Sequence, residues 1–190
     1  MTSDLGDLVR SAQSGDQSSF DELVRLTYVE TYTLALRLTS NNEDASDVVQ
    51  EAYLRAYRSI DKFRGDAQFT TWLYRITANC ASTYMGKRSR HRHEDLDDMT
   101  ELPADLSHGP EAKADVALER GSVTQALTRL PESLRTVVVL RDIYDLSHED
   151  IAKELGISEV TAKVRLHRAR KKLREYLLPV AGADSDARAV

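Results

Sequence analysis

Apolar side chains recur along this chain at spacings of three and four, and the interruptions predict where helices end. From Asp4 to Tyr84 there is no proline, and glycine occurs only at Gly6, Gly15 and Gly65, so helix is permitted almost throughout. Leu5, Leu8, Val9 and Ala12 make a first apolar stripe. After Gly15-Asp16, a second stripe of Phe20, Leu23, Val24, Thr27, Thr31, Leu34, Ala35 and Leu38 runs until Ser40-Asn41-Asn42 breaks it. A third helix is expected from about Asp44 to Ile60. Its apolar set is Ala45, Val48, Val49, Ala52, Tyr53, Leu54, Ala56 and Tyr57, set against polar Asp47, Gln50, Glu51, Arg55 and Arg58. Phe63 to Gln68 reads as a loop, and helix returns from Thr70 to Lys87.

The second half follows the same logic. Helix is expected from about Ala112 to Leu130, breaks at Pro131, and restarts through Ser133 to Ile143 with Leu134, Val137, Val138 and Leu140 buried. Val137-Val138-Val139 has strand propensity, which helical context on both sides should override. Then come two short helices at a tight turn. Ser147 suits an N-cap, with Asp150 three residues on as a variant capping box, and Ile151, Ala152 and Leu155 supply the buried face. Gly156 ends that helix, Ile157 fills the corner and Ser158 caps the next. Ala162, Leu166, Ala169 and Leu173 share one stripe of the last helix. Its opposite face carries Lys163, Val164, His167 and Arg168, flanked by Arg165, Arg170, Lys171, Lys172 and Arg174. Such a helix suits a DNA major groove, where some cations read bases and others hold phosphate. Without the caps and the turn spacing it would be an ordinary solvated basic face.

Charge sharpens this picture. The net charge of -5 conceals two basic clusters, Lys87 to Arg92 and Lys163 to Arg174, separated by residues 94–119 with nine acids and one lysine. That acidic stretch also holds Pro103, Gly109 and Pro110 with few large apolar residues, a linker composition. The expected architecture is all-α: two small helical domains joined by an acidic linker that lets them sit apart. A loose tail is expected over the last ten residues, and a further C-terminal regulatory domain after Leu178 is not expected. No apolar run approaches a membrane span and the N-terminus lacks signal-peptide layout, so a cytoplasmic protein without membrane insertion is expected. The single cysteine, Cys80, fits a reducing compartment and reads as a small helix residue.

Phe63, Phe69, Trp72, Tyr74 and Tyr84 crowd a glycine-containing loop just ahead of the first basic cluster. Rings beside cations suit unpaired nucleic acid, because bases stack while Lys and Arg hold phosphates. Phe69 and Trp72 suit a helical core equally well; Phe63, at the loop edge, is the better base contact. Asn79, seven residues after Trp72, offers both a donor and an acceptor to a base edge.

Taken together, residues 47–65 (DVVQEAYLRAYRSIDKFRG), 69–79 (FTTWLYRITAN), the basic run after them and residues 146–173 (LSHEDIAKELGISEVTAKVRLHRARKKL) closely resemble an extracytoplasmic-function sigma factor of the sigma-70 family. The resemblance covers about Asp4 to Leu178. It implies a sigma-2-like domain over 1–92, a flexible acidic linker over 93–114, a sigma-4-like helix-turn-helix domain over 115–178 and a tail over 179–190. It implies contact with the polymerase beta-prime clamp helices through Asp47, Gln50, Glu51 and Arg55, and with the beta flap. Phe63, Arg64, Gln68, Trp72 and Asn79 would capture the −10 element, with Lys87, Arg88, Arg90 and Arg92 on the backbone. Lys163, Val164, Arg165, His167, Arg168, Arg170 and Lys171 would meet the −35 duplex. Valines at 160 and 164 stand where the family often has Gly or Ser, so Val164 is placed to touch a thymine methyl. The linker would thread toward the polymerase active centre, and an anti-sigma partner is implied.

Other classes fit less well. There is no Gly-rich phosphate loop and no nucleophile-base spacing, so no catalytic residue, cofactor or small-molecule substrate is expected. His91, His93, His108 and Cys80 make a poor metal site, because their basic neighbourhood repels cations. A conventional helix-turn-helix regulator explains residues 146–173 but leaves the aromatic cluster and the acidic linker without a role.

Overall fold

The computed structural model describes residues 5–94, with backbone alone from 89, and 122–177. Among these residues the protein is all-α. Helix α1 spans Leu5–Gln13, α2 Gln17–Thr39, α3 Asn42–Ser59 with a 3-10 turn Ile60–Lys62, and α4 Phe69–Glu94. Residues 122–128 form α5. Helix α6 covers Glu132–Val138 and continues as a π turn over Val139–Ile143; α7 covers His148–Leu155 and α8 Glu159–Leu177.

Helix boundaries follow local chemistry. The Asp16 carboxylate caps α2, accepting from the Ser18 backbone N–H and from the hydroxyls of Ser18 and Ser19. These donors hold its pKa below the usual carboxylate value. Ser40 ends α2 in the left-handed conformation (φ 57°), and its N–H bonds the Leu36 carbonyl. Asn41 then caps α3 through the Asp44 N–H at 3.0 Å. So short a break folds α3 back antiparallel on α2: Phe20 meets Tyr57, with ring centroids 5.0 Å apart, while the Tyr53 hydroxyl reaches Thr27 and Thr31.

Valines 137–139 are all buried in helix, where their packing overrides strand propensity. In the turn between α7 and α8 the Ser147 hydroxyl oxygen accepts from the Asp150 N–H at 3.0 Å. The reciprocal arm of a capping box is replaced: the Ser147 hydroxyl donates to the Asp150 carboxylate. Gly156 sits at φ 62° and, with Ile157, returns N–H groups to the last-turn carbonyls of α7, a Schellman-type end. Ser158 caps α8 through the Thr161 N–H.

One expectation is overturned. The halves do not sit apart over separate cores: a single buried cluster runs from Leu34, Val48 and Ala81 through Leu134, Val137 and Leu140 to Ile151 and Leu166. Helix α7 packs on α4, and the α6 end packs on α2. A second cluster, with Phe20, Leu23, Phe69 and Leu73, lies toward α1. Helix α4 also runs past residue 92, so the expected domain boundary falls within its last turn; residues 95–121 and 178–190, which carry most of the expected linker and the tail, lie outside the described residues.

Two glycines test this backbone reading, because a Cβ at either meets nothing within 4 Å. Gly156→Ala should cost about 1–2 kcal/mol through the left-handed φ alone, whereas Gly86→Ala, inside α4, should stabilise by up to about 1 kcal/mol. Urea midpoints moving in opposite directions at constant m-value are the expected result.

Candidate nucleic-acid interface

Two separate surfaces collect the residues singled out from the sequence. On α8, Ala162, Leu166 and Ala169 are buried, which forces Lys163, Val164, His167, Arg168 and Lys171 outward, with Arg165 half-buried between. Val160 is 70% exposed and Val164 43%, positions at which the fold gains little from an apolar side chain. Lys163 pairs with Glu159 at 2.7 Å along the helix. Arg170 is different: its Nε and Nη2 grip the Asp142 carboxylate of the π turn at 2.9 and 2.5 Å. A residue expected to meet the −35 duplex therefore also ties α8 to the turn that continues α6.

The second surface is the loop after α3. Phe63 is half-buried, not free, and packs edge-on to Phe69 and obliquely to Trp72, with centroids 6.0 and 5.1 Å away. Phe69 is core and Trp72 half-buried, as the alternative reading of those two allowed. Between α1 and this loop opens a cavity of about 620 Å³, lined among others by Arg10, Gln13, Phe63, Arg64 and Gln68. Gln13 holds the loop in place, its Nε2 donating to the Ile60 and Phe63 carbonyls at 2.9 and 2.6 Å. Sequence reasoning missed it, because its partners lie 47 and 50 residues away.

Asn79 does not join this cavity. Its Oδ1 accepts from Arg55 Nη1 at 3.1 Å, and its Nδ2 donates to the Glu154 carbonyl at 3.3 Å, so α7 lies over it. The seven-residue spacing placed Asn79 on the Trp72 face of α4, two turns further along, where the second half of the chain packs. Among the cations, Arg64 pairs with Asp66 at 3.3 Å, Lys87 is exposed, and Arg88 pairs with Asp44 at the start of α3. Arg90 and Arg92 lie on the last turns of α4, their side chains outside the described residues.

On α3, Asp47 and Gln50 are exposed, and Glu51 pairs with Arg55 at 2.6 Å. Asp47 also accepts from the Tyr84 hydroxyl at 3.1 Å. Leu54, expected in the apolar set, is 44% exposed and lies on the same stripe as Asp47, Gln50, Glu51 and Arg58. Its spacing from Asp47 and Gln50 was the signal: seven and four residues put it on the polar side.

Cys80 is buried, and burial pushes its thiol up to about 11. Among the described residues no cluster of His, Cys, Asp and Glu is arranged to hold a metal, and no helix is long and apolar enough to cross a membrane.

This order of modules, an α2–α4 bundle and then a capped helix-turn-helix, matches two family models. Sigma-70 region 2 covers residues 23–91, and Sigma-70, region 4 covers 120–173. The chain belongs to the sigma-70 family of RNA polymerase sigma factors, in its extracytoplasmic-function class. It is 36% identical over 182 residues to the RNA polymerase sigma-H factor of Pseudomonas aeruginosa, covering 91% of this chain and 93% of the relative. It is 35% identical over 180 residues to the ECF RNA polymerase sigma-E factor of Escherichia coli K12, covering 91% and 94%. Among solved structures it resembles the sigma factor RpoE in complex with the anti-sigma factor NepR from Bartonella quintana, with a TM-score of 0.65, 26% identity, and coverage of 83% of this chain and 96% of that one. CnrH in complex with the cytosolic domain of CnrY is similar at a TM-score of 0.57 and 29% identity, covering 90% and 94%.

The Cys80 environment makes a direct prediction. Raising a thiol from 9.0 to about 11 cuts its thiolate fraction about a hundredfold at neutral pH. Iodoacetamide at pH 7.5 should leave the folded chain unmodified for hours and alkylate it within minutes in urea, as followed by intact mass; equal rates would contradict the burial.

Proposed function

We propose that this chain acts in the cytoplasm as a non-catalytic initiation subunit, carrying core RNA polymerase to promoters where α8 reads the −35 duplex and the α1–loop surface takes a base from the −10 element. The supporting observation is the pairing of two unlike surfaces: an exposed, valine-containing basic helix face suited to a groove, and a ring-lined cavity suited to an unstacked base. Domain bounds of 1–92, 93–114, 115–178 and 179–190 belong to this reading, with the acidic linker directed toward the polymerase interior.

Within it, Lys163, Val164, Arg165, His167, Arg168, Arg170 and Lys171 serve the −35 contact. Phe63, Arg64, Gln68, Trp72, Asn79, Lys87, Arg88 and Arg90 serve the −10 contact. The α3 stripe of Asp47, Gln50, Glu51 and Arg55 meets the polymerase clamp helices, and we add Leu54, whose exposure gives that stripe an apolar centre. Region 4 meets the beta flap. An anti-sigma partner is part of the proposal; the solved relative RpoE is held by one.

Run-off transcription with purified core polymerase as the only other protein tests the whole reading. Discrete new start sites are expected; specific duplex binding by the chain alone with no transcripts would make it a helix-turn-helix regulator instead. In the same assay Arg168→Ala should cost about 1–3 kcal/mol at promoters with one particular base pair, while Lys171→Ala should weaken all promoters alike and lower the salt slope by about 1. Lys171 is the cleaner phosphate probe, because Arg170 must first exchange Asp142.

Gln13 gives a second handle. Gln13→Ala removes two hydrogen bonds to the loop backbone, each contributing about 0.5–1.5 kcal/mol. Binding of −10 single strand by the holoenzyme should weaken about tenfold while −35 duplex binding is unchanged, as measured by fluorescence anisotropy.

A further inference from the structure

The outward face of α8 is not uniform along its length. Val160, Val164, His167 and Lys171 follow one another at steps of four, three and four, which at 3.6 residues per turn makes them a single stripe. Ala162, Leu166 and Ala169 are buried on the opposite side, so the stripe faces solvent. Its first half is apolar and its second half is polar and cationic.

The polar groups beside the valines already have partners. The Ser158 and Thr161 hydroxyl oxygens lie 2.8 Å apart, and the Ser158 hydroxyl oxygen also accepts from the Thr161 N–H at 3.1 Å. Glu159 and Lys163 pair at 2.7 Å, and the hydrogen bond from the Lys163 ammonium holds the Glu159 carboxyl below its usual value. What the first turns of α8 offer to a partner is therefore the two isopropyl groups, of which Val160 is 70% exposed. Packing inside the protein does not account for them. Nor does helix stability, because a β-branched side chain lowers helix propensity.

Duplex DNA does account for them. The N-terminal residues of a helix in the major groove reach base edges. The apolar group displayed on those edges is the C5-methyl of thymine. Two residues four apart are about 6 Å apart along the helix axis, against about 3.4 Å between successive base pairs, so the valines reach different pairs. Charge complementarity favours the same occupant, since Arg168 and Lys171 extend the face toward the phosphates.

We propose that Val160 and Val164 act together as a specificity-determining pair, each packing on a pyrimidine C5-methyl at a different base pair of the −35 duplex, which in unmodified DNA selects thymine. This rests on the promoter-reading function proposed above. It divides α8 in two: the first turns choose bases by an apolar contact, while His167, Arg168 and Lys171 supply the polar and phosphate contacts. Uracil keeps every hydrogen-bonding group of thymine and lacks only the methyl, so it isolates the contact. Loss of one such group from an apolar contact corresponds to about fourfold in affinity.

The experiment uses the full chain bound to core polymerase and a promoter mapped by run-off. Deoxyuridine replaces each thymine of the −35 region in turn, and duplex affinity is read by fluorescence anisotropy. Two thymines, on different base pairs, should each show a loss of about fourfold. Val164→Ala should weaken the unmodified promoter by about fourfold and become indifferent to deoxyuridine at one of the two positions while still responding at the other. Val160→Ala should show the reverse pattern. Both side chains are exposed and alanine favours helix, so these variants keep the fold. Replacing cytosine by 5-methylcytosine at either position separates the two carriers of this methyl: a gain of about fourfold shows that the methyl alone suffices, and no gain restricts the contact to thymine. Unchanged affinity across the whole deoxyuridine series, or losses that persist in both alanine variants, overturns the assignment. Tighter binding of every promoter by either alanine variant also overturns it, by making the valines a steric bar to docking. Absence of transcripts and of any promoter-specific binding with core polymerase present overturns the promoter reading itself, an outcome distinct from specific binding that ignores the methyl.

Discussion

Helix α4 is buried on several sides at once, and the rest of the structure is arranged around that constraint. Its first turns put Phe69 and Leu73 into the cluster under α1, while Ala78, Cys80, Ala81 and Met85 enter the larger core. Small side chains at 78, 80 and 81 let neighbouring helices approach closely. The polar residue buried among them, Thr77, is satisfied by its own helix, its hydroxyl donating to the Leu73 carbonyl at 2.9 Å, as Thr27 and Thr31 do on α2. A helix packed in this way transmits placement: the cavity at one end and the α7 seat further along are fixed to the same rigid body.

The cavity shows how that rigidity reaches a loop. Residues 63–68 have no regular structure of their own, yet the Phe63 ring is locked between Phe69 and Trp72, and its carbonyl is held by Gln13. The ring cluster places one wall and the amide another, so the opening is preformed on the side facing α1. Preformed sites save the ordering entropy that a mobile loop would lose on binding.

What was legible in the sequence was whatever is decided locally. The α7–α8 turn was readable because Ser147, Gly156 and Ser158 act within three or four residues of themselves, and burial of Ala162, Leu166 and Ala169 follows from period alone. Leu54 was misplaced by hydrophobicity, although its spacing already put it on the polar stripe. The Gln13 bonds, the Asn79 bridge and the packing of the two halves were illegible for a different reason. They join residues 24 or more positions apart, and no local pattern encodes such pairs. Asn79 is the instructive case: its amide acts as both donor and acceptor, but toward Arg55 and the end of α7.

The same pairing logic extends to charge. Several of the basic groups suited to phosphate already have carboxylate partners: Lys163 with Glu159, Arg64 with Asp66, Arg88 with Asp44 and Arg170 with Asp142. The Lys163 and Arg64 pairs are exposed and weak, so DNA can displace the carboxylate at little expense where phosphate geometry is right, whereas Asp44, the partner of Arg88, is buried. Where it is wrong, nothing offsets the exchange, and the overall charge of -5 adds repulsion. Arg170 departs from this pattern, since its bidentate grip on Asp142 is stronger and orients α8 against α6. A chain built this way gains little from random duplex and more from a site that meets several of its cations together, which is the selectivity a promoter reader with a negative net charge requires.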